Sequence, residues 1–262
     1  MSCTVVILAA QRAGVVNPLA ERAGVSHKCL APIHGKALIG HVMDTISAVS
    51  AVGRVRISVE PEARSELDLL LAPYRAQGLA IDYVDPFANI AQSLLAAVEG
   101  QPAPYMITTA DNVLMSVASF EQTLGALAEA DIAFNLSSRA AVHGVHPDAQ
   151  HRFYAFRDDD YSNCNLYGIA GPQALSAVEI FREGGQFMKN PGRLITAFGL
   201  FNILLFRLKL LTAESAARRL GKRFGLRARA LILSDGTQAV DVDNERTFGV
   251  AEMVLQRRAE LA

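Results

Sequence analysis

The chain has 262 residues, of which 51% are hydrophobic and 19% charged. That balance excludes a disordered chain, which needs low hydrophobicity and high net charge, and the length can bury a sizeable core in one large or two small domains. A formal net charge of −1 excludes capture of nucleic acid by bulk charge.

Cys3, Cys29 and Cys164 are widely spaced with no CxxC pair, so a disulfide framework is excluded and the thiols fit a reducing compartment. The opening Met1-Ser2-Cys3-Thr4 has no basic run, and the apolar stretch at 5–10 is too short for a signal core. A soluble cytoplasmic protein is expected.

Residues 4–10 are a continuous apolar run, the pattern of a strand buried on both faces. Leu38, Val42, Ile46 and Val49 predict a helix over 37–51, followed by a strand at 55–59. Pro61 opens a helix that ends near Gly78, with Leu67, Leu70 and Leu71 expected on one face. A strand follows at 79–84. Asn89 then caps a helix through Glu99 that Gly100 stops. Further strands are expected at 106–109 and 132–135. This alternation argues for an α/β domain with a largely parallel sheet flanked by helices.

The last third differs. Strands are expected at 152–156 and 165–169, separated by the turn Asp158-Asp159-Asp160. Helices follow at 172–183, 192–208 and 212–224. The last has Thr212 as N-cap, Glu214 in its first turn and basic residues in its last, matching the helix dipole. Short strands at 230–233 and 239–242 precede a terminal helix capped by Asn244 and ending at Leu261. No Pro/Gly/Ser-rich linker divides the chain. One domain, 1–262, is expected, with a helical, lid-like basic insertion within about 150–229.

The charge is unevenly distributed. Residues 182–229 hold eleven Lys/Arg and two acids, a local charge of +9, while the rest holds fourteen basic and twenty-four acidic residues, or −10. Such a segment is either a solvated helical face or a site for an anion, such as a phosphorylated substrate or a negative membrane surface. The apolar run 194–211 is interrupted by Arg207 and Lys209 and falls short of the roughly 20 residues that span a bilayer. It reads first as a helix buried in the core or in a homodimer interface, and otherwise as a basic, apolar helix on an anionic membrane surface.

Ligands of open parallel sheets bind beyond the carboxyl ends of the strands. The first strand enters a long loop, 11–30, rich in small and basic residues (Arg12, Gly14, Arg22, Gly24, His27, Lys28). The fourth ends at Thr108-Thr109-Ala110-Asp111-Asn112, and a late one at Asp241-Val242-Asp243. Cations, backbone amides and separated carboxylates suit a metal-bound polyphosphate, with Asp111 and Asp243 as candidate Mg²⁺ ligands. For each residue taken singly, a helix cap, a turn or a surface lysine is the plainer explanation. Their joint placement at strand ends carries the reading. No GxxxxGK[ST] string, no GxGxxG after the first strand and no GxSxG elbow is present. His143, His146 and His151 lack metal-ligand spacing and read as a polar loop.

The run Val5-Val6-Ile7-Leu8-Ala9-Ala10-Gln11-Arg12, with His27-Lys28-Cys29-Leu30-Ala31-Pro32-Ile33-His34-Gly35-Lys36-Ala37-Leu38-Ile39, resembles the opening motif of the MobA-like nucleotidyltransferases. The segment Thr108 to Leu114 resembles that family's Thr-x-Ala-Asp-x-Pro-Leu strand end, and Asp241-Val242-Asp243-Asn244-Glu245 its closing motif. The three stand in the family's order and frame nearly the whole chain. Gln11 stands where the family has its first signature glycine, and Val113 where it has proline.

The resemblance implies a GT-A-like (Rossmann-like) mixed, mostly parallel sheet and transfer of a nucleotidyl group from an NTP to a phosphorylated acceptor, releasing pyrophosphate. It implies that Lys28 touches phosphate, that Asp111 holds the metal and that Asp243, or Asp241, is the second carboxylate. Leu8, Ala9, Ala10, Gln11, Gly14 and Ala110 would line the nucleotide, with Asn89, Gln92 and Ser93 near the base. Arg12 would join Lys28 on the triphosphate. Asn165, Arg182, Lys189 and Arg193 would receive the acceptor. Those three cations favour a small, strongly anionic acceptor, with CTP ahead of GTP as donor, and a product of the CDP-head-group kind used in lipid or cell-envelope synthesis. Two other readings stay open: a metal-dependent GT-A glycosyltransferase, whose Asp-x-Asp string would lie mid-chain whereas here it occurs at 158–160 and 241–243, and a catalytically inactive nucleotide-binding protein signalled by Gln11.

Overall fold

A computed structural model describes residues 2–11, 17–181 and 199–261. Its centre is an eight-stranded sheet in the order β10-β7-β9-β6-β1-β4-β5. These strands are β1 (Cys3–Leu8), β4 (Val52–Ser58), β5 (Ala80–Val84), β6 (Tyr105–Thr109), β7 (Ile132–Ser138), β9 (Asp160–Ile169) and β10 (Ala228–Leu233). The eighth, β8 (Tyr154–Ala155), pairs with β9. Neighbouring strands run parallel except β9, which is antiparallel to β6, β7 and β8. The sheet is therefore mixed and mostly parallel, with helices on its faces. A small hairpin, β2 (Pro32–Ile33) and β3 (Lys36–Ala37), stands apart from it.

The burial of β1 follows from its sequence. Val5, Val6 and Ile7 are fully buried, and successive side chains enter opposite layers. Val5 and Ile7 join a cluster with α2 (Leu38–Ser47) and α3 (Pro61–Ala76), through Ile39, Val42, Met43, Ile46, Leu67 and Leu71. Val6 joins the opposite layer, with Ala91, Leu94 and Ala97 of α4 (Ile90–Val98). A third cluster packs α9 (Glu245–Glu260) through Phe248, Ala251 and Val254 against Leu19, Leu114 and Val242.

Several expectations need correction. On α3 the buried stripe is Ala63, Leu67 and Leu71, while Leu70, at the edge of that face, is exposed. The segment expected as a strand at 239–242 ends a 3₁₀ turn (Gly236–Ala239) and continues as extended chain without joining the sheet. Residues 172–181 wind as a 3₁₀ helix. The strand expected at 165–169 begins earlier, at Asp160, the last residue of the expected turn. Within 194–211 the described part forms α7 (Leu200–Arg207), in which no residue is buried, so the core reading of this helix fails. Helices α1 (Pro18–Ala23), α5 (Val117–Ala126) and α6 (Arg139–Val145) were not foreseen. Thr212 caps α8 (Ala213–Arg223) as expected, and Asn244 with Thr247 forms a capping box on α9.

The turn at 236–239 lies directly on the backbone of α6. A Cβ on Gly236 would overlap the Ala141 carbonyl and stand 2.6 Å from Val142 N. Backbone on both sides cannot step aside, so Gly236→Ala is expected to lower stability by about 1–3 kcal/mol, read by chemical denaturation. A wild-type midpoint would show that α6 yields.

Candidate active site

Strands β1 and β6 are neighbours, and the chain leaves them toward opposite halves of the sheet, from β1 to β4 and β5, from β6 to β7 and β9. This is the topological switch point where such sheets bind ligands. The Ala110 N–H donates to the Leu8 carbonyl at 3.1 Å, closing the last rung between the two strands. Asp111 comes immediately after.

The second acidic segment reaches Asp111 from the far end of the chain. Val240 and Val242 are fully buried, and extended backbone places the alternating Asp241 and Asp243 together on the other side. The Val242 N–H donates to the Asp111 carbonyl at 3.1 Å. The Asp243 N–H donates to Thr247 Oγ1 at 3.0 Å, tying the segment to the start of α9.

Lys28 arrives on a short 3₁₀ turn (Lys28–Leu30) anchored by buried Cys29 and Leu30. Its ammonium donates to Asp111 Oδ2 and, at 2.9 Å, to Asp243 Oδ1. The Lys28 and Asp111 side chains are 19% and 13% exposed and that of Asp243 66%, so the ion pair opens to solvent on the Asp243 side.

Charges dominate here. Burial works against the Lys28 ammonium, but Asp111 and Asp243 outweigh it and hold its pKa above the usual lysine range. Burial would raise Asp111, yet the Lys28 charge prevails and keeps its pKa below the usual carboxylate value. Asp241 forms no ion pair among the described residues. Burial, then the negative charges of Asp111 and Asp243, push it well above the ordinary value, against an opposing hydrogen bond from Asn165. Among the described residues, one oxygen of Asp111 and one of Asp241 are buried without a hydrogen-bond partner.

Asn165 sits where the β7–β9 register shifts, and its φ is +47°. A bulge at this point re-aims a side chain out of the regular pleat, here toward Asp241. Asn163 Nδ2 donates to Asn165 Oδ1 at 2.6 Å and steadies it. Asparagine tolerates a left-handed backbone; a β-branched residue does not. Asn165→Val is expected to cost about 1–3 kcal/mol of stability, whereas Asn165→Gly should keep the fold and lose only the side-chain contacts to Asn163 and Asp241. Equal melting temperatures for the two variants would refute the backbone argument.

Two supporting residues lay outside the sequence reading. Glu60, at the carboxyl end of β4, accepts the Gln11 N–H at 2.9 Å and faces His27 Nε2 at 3.4 Å. Asn112 is buried and its amide donates to Thr108 Oγ1 at 3.1 Å and to the Cys164 carbonyl at 3.2 Å, joining the end of β6 to β9. An acid directly before a helix-opening proline, at a strand end, is the signal for Glu60; Asn112 carried none beyond its place after Asp111. Gln11 turns its side-chain amide onto the Ser26 carbonyl at 3.0 Å, bridging the two ends of the loop. Val113 is buried in the cluster that includes α9, which explains an apolar residue there.

The nucleotide-side expectations are placed as follows. Leu8, Ala9, Ala10, Gln11 and Ala110 gather at the ends of β1 and β6. Asn89 caps α4 through the Gln92 N–H and also donates to Gln92 Oε1, and Ser93 accepts the Phe87 N–H at 2.8 Å, so these polar groups hold their own loop. Arg12, Gly14, Arg182, Lys189 and Arg193 lie outside the described residues.

Among the described residues no group of three or more His, Cys, Asp or Glu side chains is gathered to hold a metal by itself. The donors present fit a cation that takes one or two carboxylates and completes its shell with phosphate and water, as Mg²⁺ does. Asp111 and Asp243 flank one point, and unpartnered carboxyl oxygens of Asp111 and Asp241 are available nearby.

Comparison with solved structures gives full-length fold matches. A hypothetical transferase from Thermus thermophilus aligns at TM-score 0.75 and 21% identity, covering 95% of this chain and 100% of that one. The 4-diphosphocytidyl-2C-methyl-D-erythritol synthase of Anaerococcus prevotii aligns at TM-score 0.62 and 13% identity, covering 98% and 99%. A CMP:2-keto-3-deoxy-manno-octonic acid synthetase complexed with CTP aligns at 0.57 and 13%, covering 98% and 100%. Curated protein sequences give no match. The profile of the MobA-like NTP transferase domain matches residues 5–166, which hold β1, Lys28, Asp111 and Asn165. The chain belongs to the MobA-like NTP transferase family.

Proposed function

We propose that this protein transfers a nucleotidyl group, with CTP as favoured donor and GTP next, to a small phosphorylated acceptor such as a phosphorylated acid, polyol or sugar phosphate. The observation that carries the reading is the Lys28 ammonium held between Asp111 and Asp243 at the switch point of the sheet. Two fold neighbours are named for cytidylyl chemistry, which supports the donor preference.

A phosphate monoester is mostly dianionic at neutral pH, its second pKa being about 6. Its oxygen can attack the α-phosphorus unaided: a new P–O bond forms, the α–β bridge breaks, and pyrophosphate leaves with the electron pair. Such a reaction needs alignment and charge neutralisation more than proton transfer. Lys28 would exchange its carboxylate partners for phosphate oxygens when the triphosphate enters, and Arg12 would add a second cation. Asp111 and Asp243, with Asp241 behind them, would hold Mg²⁺, which when bound offsets phosphate charge. Asn165 would orient Asp241 beside the acceptor, with Arg182, Lys189 and Arg193 as its anion receptors.

The glycosyltransferase alternative loses one of its two metal strings. Asp158 Oδ1 accepts the Ala213 N–H at 3.1 Å, and Asp160 pairs with Arg139 at 2.9 Å, so both carboxylates serve the scaffold. Pyrophosphate release, measured with each NTP against a panel of phosphorylated acceptors, tests the proposal. Release with CTP or GTP and one acceptor class is expected. Consumption of a nucleotide-sugar instead, or no turnover with any pair, would overturn it.

A further inference from the structure

Helix α7 presents an apolar face to solvent. Leu200, Phe201, Leu204 and Leu208 are each more than half exposed, and their spacing sets them on one side of the helix. The other side is packed: Phe206 meets Phe156 edge-on at 5.1 Å between ring centroids. A single exposed leucine needs no explanation, but four in one stripe on a helix mark a surface that meets something apolar.

Positive charge lies close to the stripe. Arg207 and Lys209 follow it in the chain, and Arg218, Arg219, Lys222 and Arg223 are exposed on the neighbouring helix α8. Arg219 donates to Asn202 Oδ1 at 3.3 Å, on the flank of α7 away from the stripe, which packs the two helices together. Residues 199–223 carry six cations and one acid, a charge of +5 on a chain whose net charge is −1.

From this pairing of an exposed apolar stripe with nearby cations, we infer that α7 and α8 dock on an anionic lipid surface. A second copy meeting the same face about a two-fold axis would bring +5 against +5. The chain's own segment 182–198 is also net positive, with three cations and one acid. Anionic headgroups complement these cations, and acyl chains accept Leu200, Phe201, Leu204 and Leu208. Among the described residues no helix is long and apolar enough to cross a membrane, so the surface lies on the bilayer. This inference is independent of which nucleotide or acceptor the active site takes.

Co-sedimentation of the full chain with vesicles tests it. Binding to phosphatidylcholine vesicles containing phosphatidylglycerol is expected at low salt, with release at high salt and little binding to phosphatidylcholine alone. Each cation near the surface is worth roughly fivefold in partitioning, so Arg218→Glu with Arg219→Glu should weaken binding by more than tenfold. Leu204→Glu should do the same with an unchanged circular dichroism spectrum. No binding at low salt, or full binding by Leu204→Glu, would overturn the inference. So would a wild-type dimer that Leu204→Glu splits into monomers, which would assign the face to a second copy.

Discussion

Lys28→Ala is expected to reduce nucleotidyl transfer by two to three orders of magnitude, roughly the loss seen when a preorganised electrostatic contact is deleted. It should also weaken the fold. Lys28 is the cation that holds the Asp111 carboxylate ionised in its largely buried position. Without it the carboxylate is desolvated and unpaired, a cost of about 1–3 kcal/mol. The sign of the pH dependence follows. In the metal-free wild type, Asp111 has a folded-state pKa below its unfolded value. Its contribution to stability is therefore present above the unfolded pKa of about 4 and disappears as pH falls through the lower folded value. In Lys28→Ala burial, the largest influence on Asp111, is opposed only by hydrogen bonds from Thr109 and the backbone; the folded value is expected to rise above the unfolded one, and protonation then favours the fold. The stability gap between the two proteins should thus be widest near neutral pH and narrow on acidification. Urea denaturation in EDTA at several pH values reads this directly; a gap that stays constant with pH would remove Lys28 as the partner that matters.

Asp111→Asn is expected to abolish turnover to a similar or greater extent with a smaller effect on the fold. The amide keeps the volume, Lys28 retains Asp243, and the backbone carbonyl of residue 111 still accepts the Val242 N–H. Loss of the 111 charge also relieves Asp241, whose carboxyl is pushed up in part by that neighbour. The variant should melt close to wild type while kcat drops about a hundredfold or more. Retention of full turnover would end the case for a metal-holding carboxylate at 111; a collapsed melting temperature would recast Asp111 as structural.

The two substitutions separate roles that the geometry merges. In the structure Lys28 is the counter-ion of Asp111 and Asp243. In the proposed reaction they part, the lysine toward phosphate and the carboxylates toward the metal. In that reaction a triphosphate would enter from the exposed side of Asp243, opposite the buried Asp111.

Much of this was legible in sequence because it rests on local patterns. The continuous apolar run at β1 forces burial on both faces, Asn89, Thr212 and Asn244 satisfy the free amides at helix starts, and strand–helix alternation demands a mostly parallel sheet. Lys28, Asp111 and the 241–243 pair were recognisable as chemistry because each follows a strand or loop end where ligands bind. What local pattern cannot supply is position in space. Lys28 is 83 residues from Asp111 and 215 from Asp243, and only the sheet order and the Val242–Asp111 backbone bond bring them into contact. The same applies to Asn165, whose left-handed backbone arises from a register shift between β7 and β9, and to Glu60, which matters because β4 lies beside β1. Helix α7 shows the limit most plainly. Its composition suits a core, but hydrophobicity states only that a side chain avoids water, and the tertiary structure decides whether protein is there to cover it.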